Sequence, residues 1–222
     1  MNNSNDCWYN EVCGRKADRC EATCVRYHEM KYLMDNSNIP KNRQMPVMLT
    51  PSECDLNAFR KLALIKDNIY DFVADGKSIY IMSSEVGNGK TSWAIKLMLK
   101  YFDEVWDGNG FRVRGVFVNV PTFLLKCKDF KNDDPEFEAL KKNILTADLV
   151  IWDDIAGIAL SQYDYAQMLM YIDARASNGM SNIFTGNITD REDMTKAVSY
   201  KITSRLWSSD TEVIEFKGGD RR

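Results

Sequence analysis

The sequence predicts an α/β fold, a parallel sheet flanked by helices, and three observations predict it. A short apolar run, Ile79 to Met82, enters a loop containing Gly87 and Gly89. It leaves that loop as a helical pattern with Trp93, Ala94, Leu97, Met98 and Tyr101 on one face. A second apolar run, Leu149 to Trp152, ends in Asp153 and Asp154. That pattern reads as a strand buried on both faces, delivering two carboxylates to its C-terminal edge. Residues 113–120, 180–185 and 211–216 read as further strands, with stretches of helical length between them. Such alternation suits a parallel sheet, in which every crossover must carry the chain back to the starting edge.

The first strand and loop carry the sharpest chemistry. Strand, glycine loop, Gly89-Lys90-Thr91 and helix together form the context of a phosphate-binding P-loop. Glycines let backbone N–H groups turn inward around phosphate oxygens, and the new helix adds its positive end. Lys90 can reach β- and γ-phosphates, and the Thr91 hydroxyl can ligate Mg²⁺. The candidate nucleotide-binding residues are therefore Glu85, Val86, Gly87, Asn88, Gly89, Lys90, Thr91 and Ser92. Ser84 stands where the pattern G-x-x-x-x-G-K-[ST] has its first glycine. A glycine turn opening an ordinary helix would explain Gly-Lys-Thr alone. The flanking strand and helix favour ATP or ADP.

Composition sets the outer limits. At 222 residues, with 45% hydrophobic and 11% aromatic, the chain can build one medium domain plus a small appendage. Its net charge of -3, from 29 basic and 32 acidic residues, marks no global affinity for nucleic acid or membrane, so any DNA contact must rest on a local patch. No apolar stretch approaches the roughly 20 residues of a membrane span. The opening residues, MNNSNDCWYNEVCG, lack the basic and apolar regions of a signal peptide, which points to a cytoplasmic protein.

The six cysteines are unevenly placed. Cys7, Cys13, Cys20 and Cys24 follow C-x5-C-x6-C-x3-C, while Cys54 and Cys127 stand alone. In a reducing compartment such a cluster is more often a metal site than disulfides, and four thiolates suit tetrahedral Zn²⁺. A segment this short cannot bury enough apolar area to fold unaided. His28 lies at the same x3 interval after Cys24, so it could replace one ligand. An iron–sulfur cluster and unligated cysteines remain the alternatives. The expected organisation is a cysteine-rich module over residues 1–35, an extended proline-containing linker over 36–55, and the α/β domain over 56–222. One helix is expected from Leu56 to Val73, ended by Gly76.

After the P-loop helix, helices are expected at 122–128 and at 135–145, opened by Pro121 and Pro135. Asp153 and Asp154 arrive about sixty residues after the P-loop, which identifies the Walker B strand. Asp153 can hold Mg²⁺ through water, and Asp154 can polarise an attacking water. A helix is expected at 162–177. Asn187, at the tip of the next strand, is placed to orient water against the γ-phosphate. Residues 200–207 read as a helix carrying Arg205, either a solvated residue or a cation aimed at a neighbouring subunit's nucleotide. Lys126, Lys128, Lys131, Lys141 and Lys142 could line an oligomer pore as a DNA-contacting strip. The acids interleaved with them equally suit a solvated face.

These residues resemble AAA+ ATPases, and within them the bacterial and phage replicative helicase loaders of the DnaC/DnaI type. The resemblance rests on EVGNGKTS (Glu85 to Ser92), LVIWDDIAG (Leu149 to Gly157) and IDARASNGMSNIFTGN, where Asn187 matches sensor 1 in a Thr-Gly-Asn setting. KITSRL places Arg205 as the arginine finger, and Asn38-Ile39-Pro40 looks like the segment leading into the ATPase domain. The resemblance implies an AAA+ core without a full lid domain, ATP hydrolysis, self-association through that core, and a replicative helicase hexamer and single-stranded DNA as partners. The catalytic set it implies is Asp154, Asn187 and Arg205. Asp154 stands where many AAA+ proteins have glutamate, and only Arg221 or Arg222 could substitute for a sensor 2 arginine. Transposase-associated ATPases of the IstB type share the same core, and the cysteine-rich module separates the two readings. A nucleotide-gated helicase adaptor with little hydrolysis and a P-loop kinase are further alternatives, the kinase lacking an arginine-rich lid.

Overall fold

The computed structural model describes residues 24–44, 47–105, 111–129 and 134–219. Helices α1 (Val25–Asn36), α2 (Leu56–Asp67) and α3 (Ile69–Ala74) precede β1 (Ser78–Met82) and α4 (Lys90–Glu104). There follow β2 (Gly115–Asn119), α5 (Val120–Cys127), α6 (Pro135–Thr146), β3 (Leu149–Asp153) and α7 (Gln162–Ser177). The described chain closes with β4 (Ser181–Gly186), α8 (Arg191–Val198), α9 (Tyr200–Leu206) and β5 (Thr211–Glu215). The strands form one parallel sheet in the order β2-β3-β4-β1-β5.

Period-two alternation along these strands builds a core on each face. Ile79, Ile81, Phe117, Leu149, Ile151, Ile183 and Ile214 face α1–α4, where Leu62, Ala94, Leu97 and Met98 meet them. Tyr80, Val116, Val118, Val150, Trp152 and Phe184 face the other way, onto Phe123, Ile144, Met168, Ile172 and Ile202. β3 is buried along its whole length, as its continuous apolar run predicts.

Local chemistry sets the ends of the elements. Asp134 and Asp190 each accept two backbone N–H groups at the starts of α6 and α8, and Ser161 with Asp164 makes a capping box for α7. Asn119 caps α5, whose first turn holds Pro121. The single helix expected from Leu56 to Val73 is instead two. Asn68 breaks it: its side chain donates to the Leu64 carbonyl and its backbone leaves helical angles (φ -122°, ψ 30°). Asparagine competes in this way for backbone partners, and hydrophobic periodicity does not register it. Gly76 ends α3 in the left-handed conformation (φ 67°) beside Gly179, where a side chain would collide with backbone.

Helix α1 lays Met30, Leu33 and Met34 into the core shared with α4. Arg26 of α1 pairs with Asp103 near the end of α4. The segment that follows hugs the sheet edge: the Phe117 N–H donates to the Ser37 carbonyl (2.7 Å), and Asn38 Nδ2 donates to the Phe117 carbonyl (2.8 Å). Cys7, Cys13, Cys20, Lys131, Arg221 and Arg222 lie outside the described residues. Among the described residues no helix is long and apolar enough to cross a membrane.

Candidate functional site

The C-terminal ends of β1, β3 and β4 converge on one site. After β1 the chain makes a loop that needs left-handed backbone at Gly87 (φ 72°) and Gly89 (φ 98°), and Gly89 is the residue from which α4 starts. Ser83, wholly buried, organises the loop from beneath. Its hydroxyl accepts from the Glu85 N–H (3.1 Å) and from Asn88 Nδ2, and its own N–H donates to the Gly186 carbonyl at the tip of β4. Lys90 Nζ donates to the Glu85 carbonyl (2.7 Å) and to Asn88 Oδ1 (3.2 Å). Its ammonium is thereby held within the loop, on oxygens that phosphate oxygens can replace. Val86 is exposed at the loop's crest, and Ser92 lies half-buried in the first turn of α4.

Across from the loop, β3 presents Asp153. Its Oδ1 accepts from the Thr91 hydroxyl and from the Thr185 hydroxyl, each at 2.7 Å. Hydroxyl and carboxylate oxygens at this spacing fit a hard cation, so Thr91 and Asp153 are the residues that could hold Mg²⁺. Next along the chain, Asp154 takes a left-handed backbone (φ 59°), uncommon for a residue with a side chain. Its N–H donates to Thr185 Oγ1 (3.0 Å), and its carboxylate lies over Gly157, where any Cβ would overlap it. Burial and the neighbouring charge of Asp153 push the Asp154 carboxyl above the usual carboxylate range, with Lys90 pulling the other way. A raised pKa makes a carboxylate a better proton acceptor.

Two predicted residues sit apart from this cluster. Asn187 is exposed just beyond β4, and the side chain that reaches the acids from that strand is Thr185, two positions earlier and buried. Thr185 is the threonine of the Thr-Gly-Asn stretch read for Asn187, but its bond to the acids shows only in the pairing of β3 with β4. Arg205, on α9, has its Nε on Asp173 Oδ1 of α7 at 2.9 Å, both side chains about half exposed (46% and 40%). Of the expected lysine strip, Lys126, Lys128 and Lys141 are ion-paired with Asp134, Asp164 and Glu138, so their charges are balanced in place. Among the described residues no group of three His, Cys, Asp or Glu is placed to hold a metal ion, and Cys24, Cys54 and Cys127 are free.

This architecture has solved counterparts. The chain is similar to the DnaC helicase loader over 80% of its own length and 100% of that chain, with a TM-score of 0.65 at 18% identity. Its similarity to DnaI covers 80% of this chain and 94% of that one, with a TM-score of 0.63 at 17% identity. The fold is that of the DnaC and DnaI helicase loaders. A DnaA from Aquifex aeolicus, solved with AMPPCP bound, shares it more distantly, at a TM-score of 0.56 and 14% identity over 86% of this chain and 52% of that one. Neither a protein-family model nor a curated protein sequence matches the chain. In this fold the strand order sets β4 between β1 and β3, which is why Thr185 reaches the same Asp153 oxygen that the Thr91 hydroxyl bonds.

Proposed function

We propose that this protein is an ATP-dependent loader of a hexameric replicative helicase onto single-stranded DNA during replication initiation. The observation that carries the reading is the meeting of Lys90, Thr91, Asp153 and Asp154 at one sheet edge of a loader fold. ATP binds on Glu85 to Ser92, where loop N–H groups and the Lys90 ammonium take up phosphate charge. Thr91 and Asp153 would hold Mg²⁺, which when bound would supply neutralisation of phosphate charge. Thr185 orients Asp153 and fixes the backbone of Asp154, and Asp154 accepts the proton of the attacking water. Asn187 holds that water at the strand tip, and Arg205 reaches the nucleotide of an adjacent protomer. Cys7, Cys13, Cys20 and Cys24 would hold Zn²⁺, which would staple an N-terminal module for gripping the helicase, and the AAA+ domains self-associate along single-stranded DNA.

Two variants separate these roles. Gly157→Ala drives a methyl into the Asp154 carboxylate, a flexible group that can move aside, so the fold survives and the acid is displaced. Turnover is expected to fall on the order of tenfold, with nucleotide affinity unchanged. Unaltered single-turnover hydrolysis would remove Asp154 from the mechanism. Arg205→Ala is expected to bind ATP normally and to lose hydrolysis, because a finger in trans acts only in the assembly. Normal turnover in that variant would sink the trans-finger role.

The reading as a whole is tested by size-exclusion chromatography with light scattering on the protein mixed with the host's replicative helicase. It is run with ATP, with ADP and without nucleotide. The expected species is larger than the helicase hexamer and is lost when Cys7, Cys13 and Cys20 are replaced together by serine. Absence of a complex under every nucleotide overturns the loader assignment.

A further inference from the structure

Asp55 lies outside every motif, yet it is a carboxylate with no exposed surface, a costly placement unless hydrogen bonds compensate it. It occupies the N-cap of α2, where an aspartate ordinarily accepts amides of its own helix, and it makes no such capping bond. The carboxylate turns instead to the segment after β5. Oδ1 accepts the Lys217 N–H at 2.7 Å, both oxygens accept the Gly218 N–H at 3.2 Å, and Ser52 Oγ donates to Oδ2 at 2.8 Å. The Gly218 carbonyl in turn accepts Asn88 Nδ2 at 3.4 Å, and Asn88, 1% exposed, accepts Lys90 Nζ on its Oδ1. A path of hydrogen bonds thus runs from Asp55 through Gly218 and Asn88 to the P-loop lysine.

We propose that Asp55 is a positioning residue for the phosphate loop, acting through the Lys217–Gly218 backbone on Asn88 and hence on Lys90. The proposal rests on the nucleotide-binding reading above. It adds that the loop's shape is set from outside the loop, by the segment before α2 and the segment after β5. Ser84, in place of the motif's first glycine, leaves one fewer unrestricted residue in the loop. An external support for Asn88 and Lys90 gives a preorganised cradle, and preorganisation governs affinity.

The experiment measures binding of N-methylanthraniloyl-ADP and steady-state ATP turnover for the wild-type chain, Asp55→Asn, Gly218→Pro, Asn88→Ala and the Asp55→Asn/Asn88→Ala pair. Asp55→Asn keeps the side-chain volume but replaces one acceptor oxygen by a donor group. Gly218→Pro removes an amide that Asp55 accepts while leaving Asp55 intact, and carries the test if Asp55→Asn does not fold. Both are expected to weaken nucleotide binding about tenfold and to raise KM while kcat stays within about twofold, since Asp153 and Asp154 are untouched. The double variant is expected to be no weaker than the weaker single, as a shared path requires. Wild-type binding with unchanged affinity in both Asp55→Asn and Gly218→Pro overturns the proposal, as does a double variant whose effects simply add. A wild-type protein that binds no nucleotide overturns the underlying reading instead.

Discussion

Replacing Arg175 by methionine is expected to lower the unfolding free energy by about 3–5 kcal/mol, since several buried carbonyls lose a hydrogen-bond donor at once. Arg175 has no exposed surface, and its guanidinium is spent on backbone. Nη1 donates to the carbonyls of Ile144 and Ala147, both at 2.7 Å. Nη2 donates to those of Ser181 (2.6 Å) and Asp148 (3.3 Å), and Nε donates to Asn182 Oδ1 (2.8 Å). One side chain of α7 therefore ties the end of α6 to the starts of β3 and β4. Methionine fills much of the volume but leaves buried carbonyls unpaired, each at a cost of about 1–3 kcal/mol. Lysine offers a single ammonium in place of a planar fork and is expected to recover little. Thermal unfolding should shift down on the order of 10 °C for a domain of this size. An Arg175→Met protein within 1 kcal/mol of wild type by urea denaturation would show that these bonds contribute almost nothing net.

Asp154→Asn is expected to give the largest functional effect, a fall in ATP turnover of about 10²–10⁴-fold with nucleotide affinity retained. The carboxylate's left-handed backbone, its seat over Gly157 and its raised proton affinity all bear on the acid's chemistry and none on the P-loop contacts that would bind phosphate. Asparagine keeps the shape and tolerates the same backbone region, so the substitution removes basicity with little strain. Single-turnover hydrolysis measured beside labelled-nucleotide binding separates the two quantities. Loss of binding together with turnover would place Asp154 in holding nucleotide and not in accepting a proton. Turnover within tenfold of wild type would leave hydrolysis to another base.

Much of this molecule is legible in its residues, for reasons that differ from element to element. β3 announces itself because five consecutive buried positions leave no polar face, and the P-loop because its glycines are demanded by positive φ at Gly87 and Gly89. Pro135 with Asp134, and Asp190, mark helix starts through local chemistry that needs no neighbours. Asn68 is harder, since a side chain bonding its own preceding turn leaves hydrophobic spacing intact on both sides of the break. Thr185, Ser83 and Asp55 are beyond such reading altogether. Each acts on partners brought close by sheet pairing or by the return of the chain after β5, and a threonine, a serine or an aspartate taken alone has many ordinary uses.

The bonds that Ser37 and Asn38 make to Phe117 bear on how the sheet can be approached. A parallel strand at the margin of a sheet turns the N–H and C=O of alternate residues outward, a template on which another chain can add itself as a strand. At Phe117 both of those groups are already taken, by a segment with its own side chain, Ile39, sunk in the core. Growth of the sheet from β2 is therefore blocked at its middle residue, which protects against fibrous self-addition.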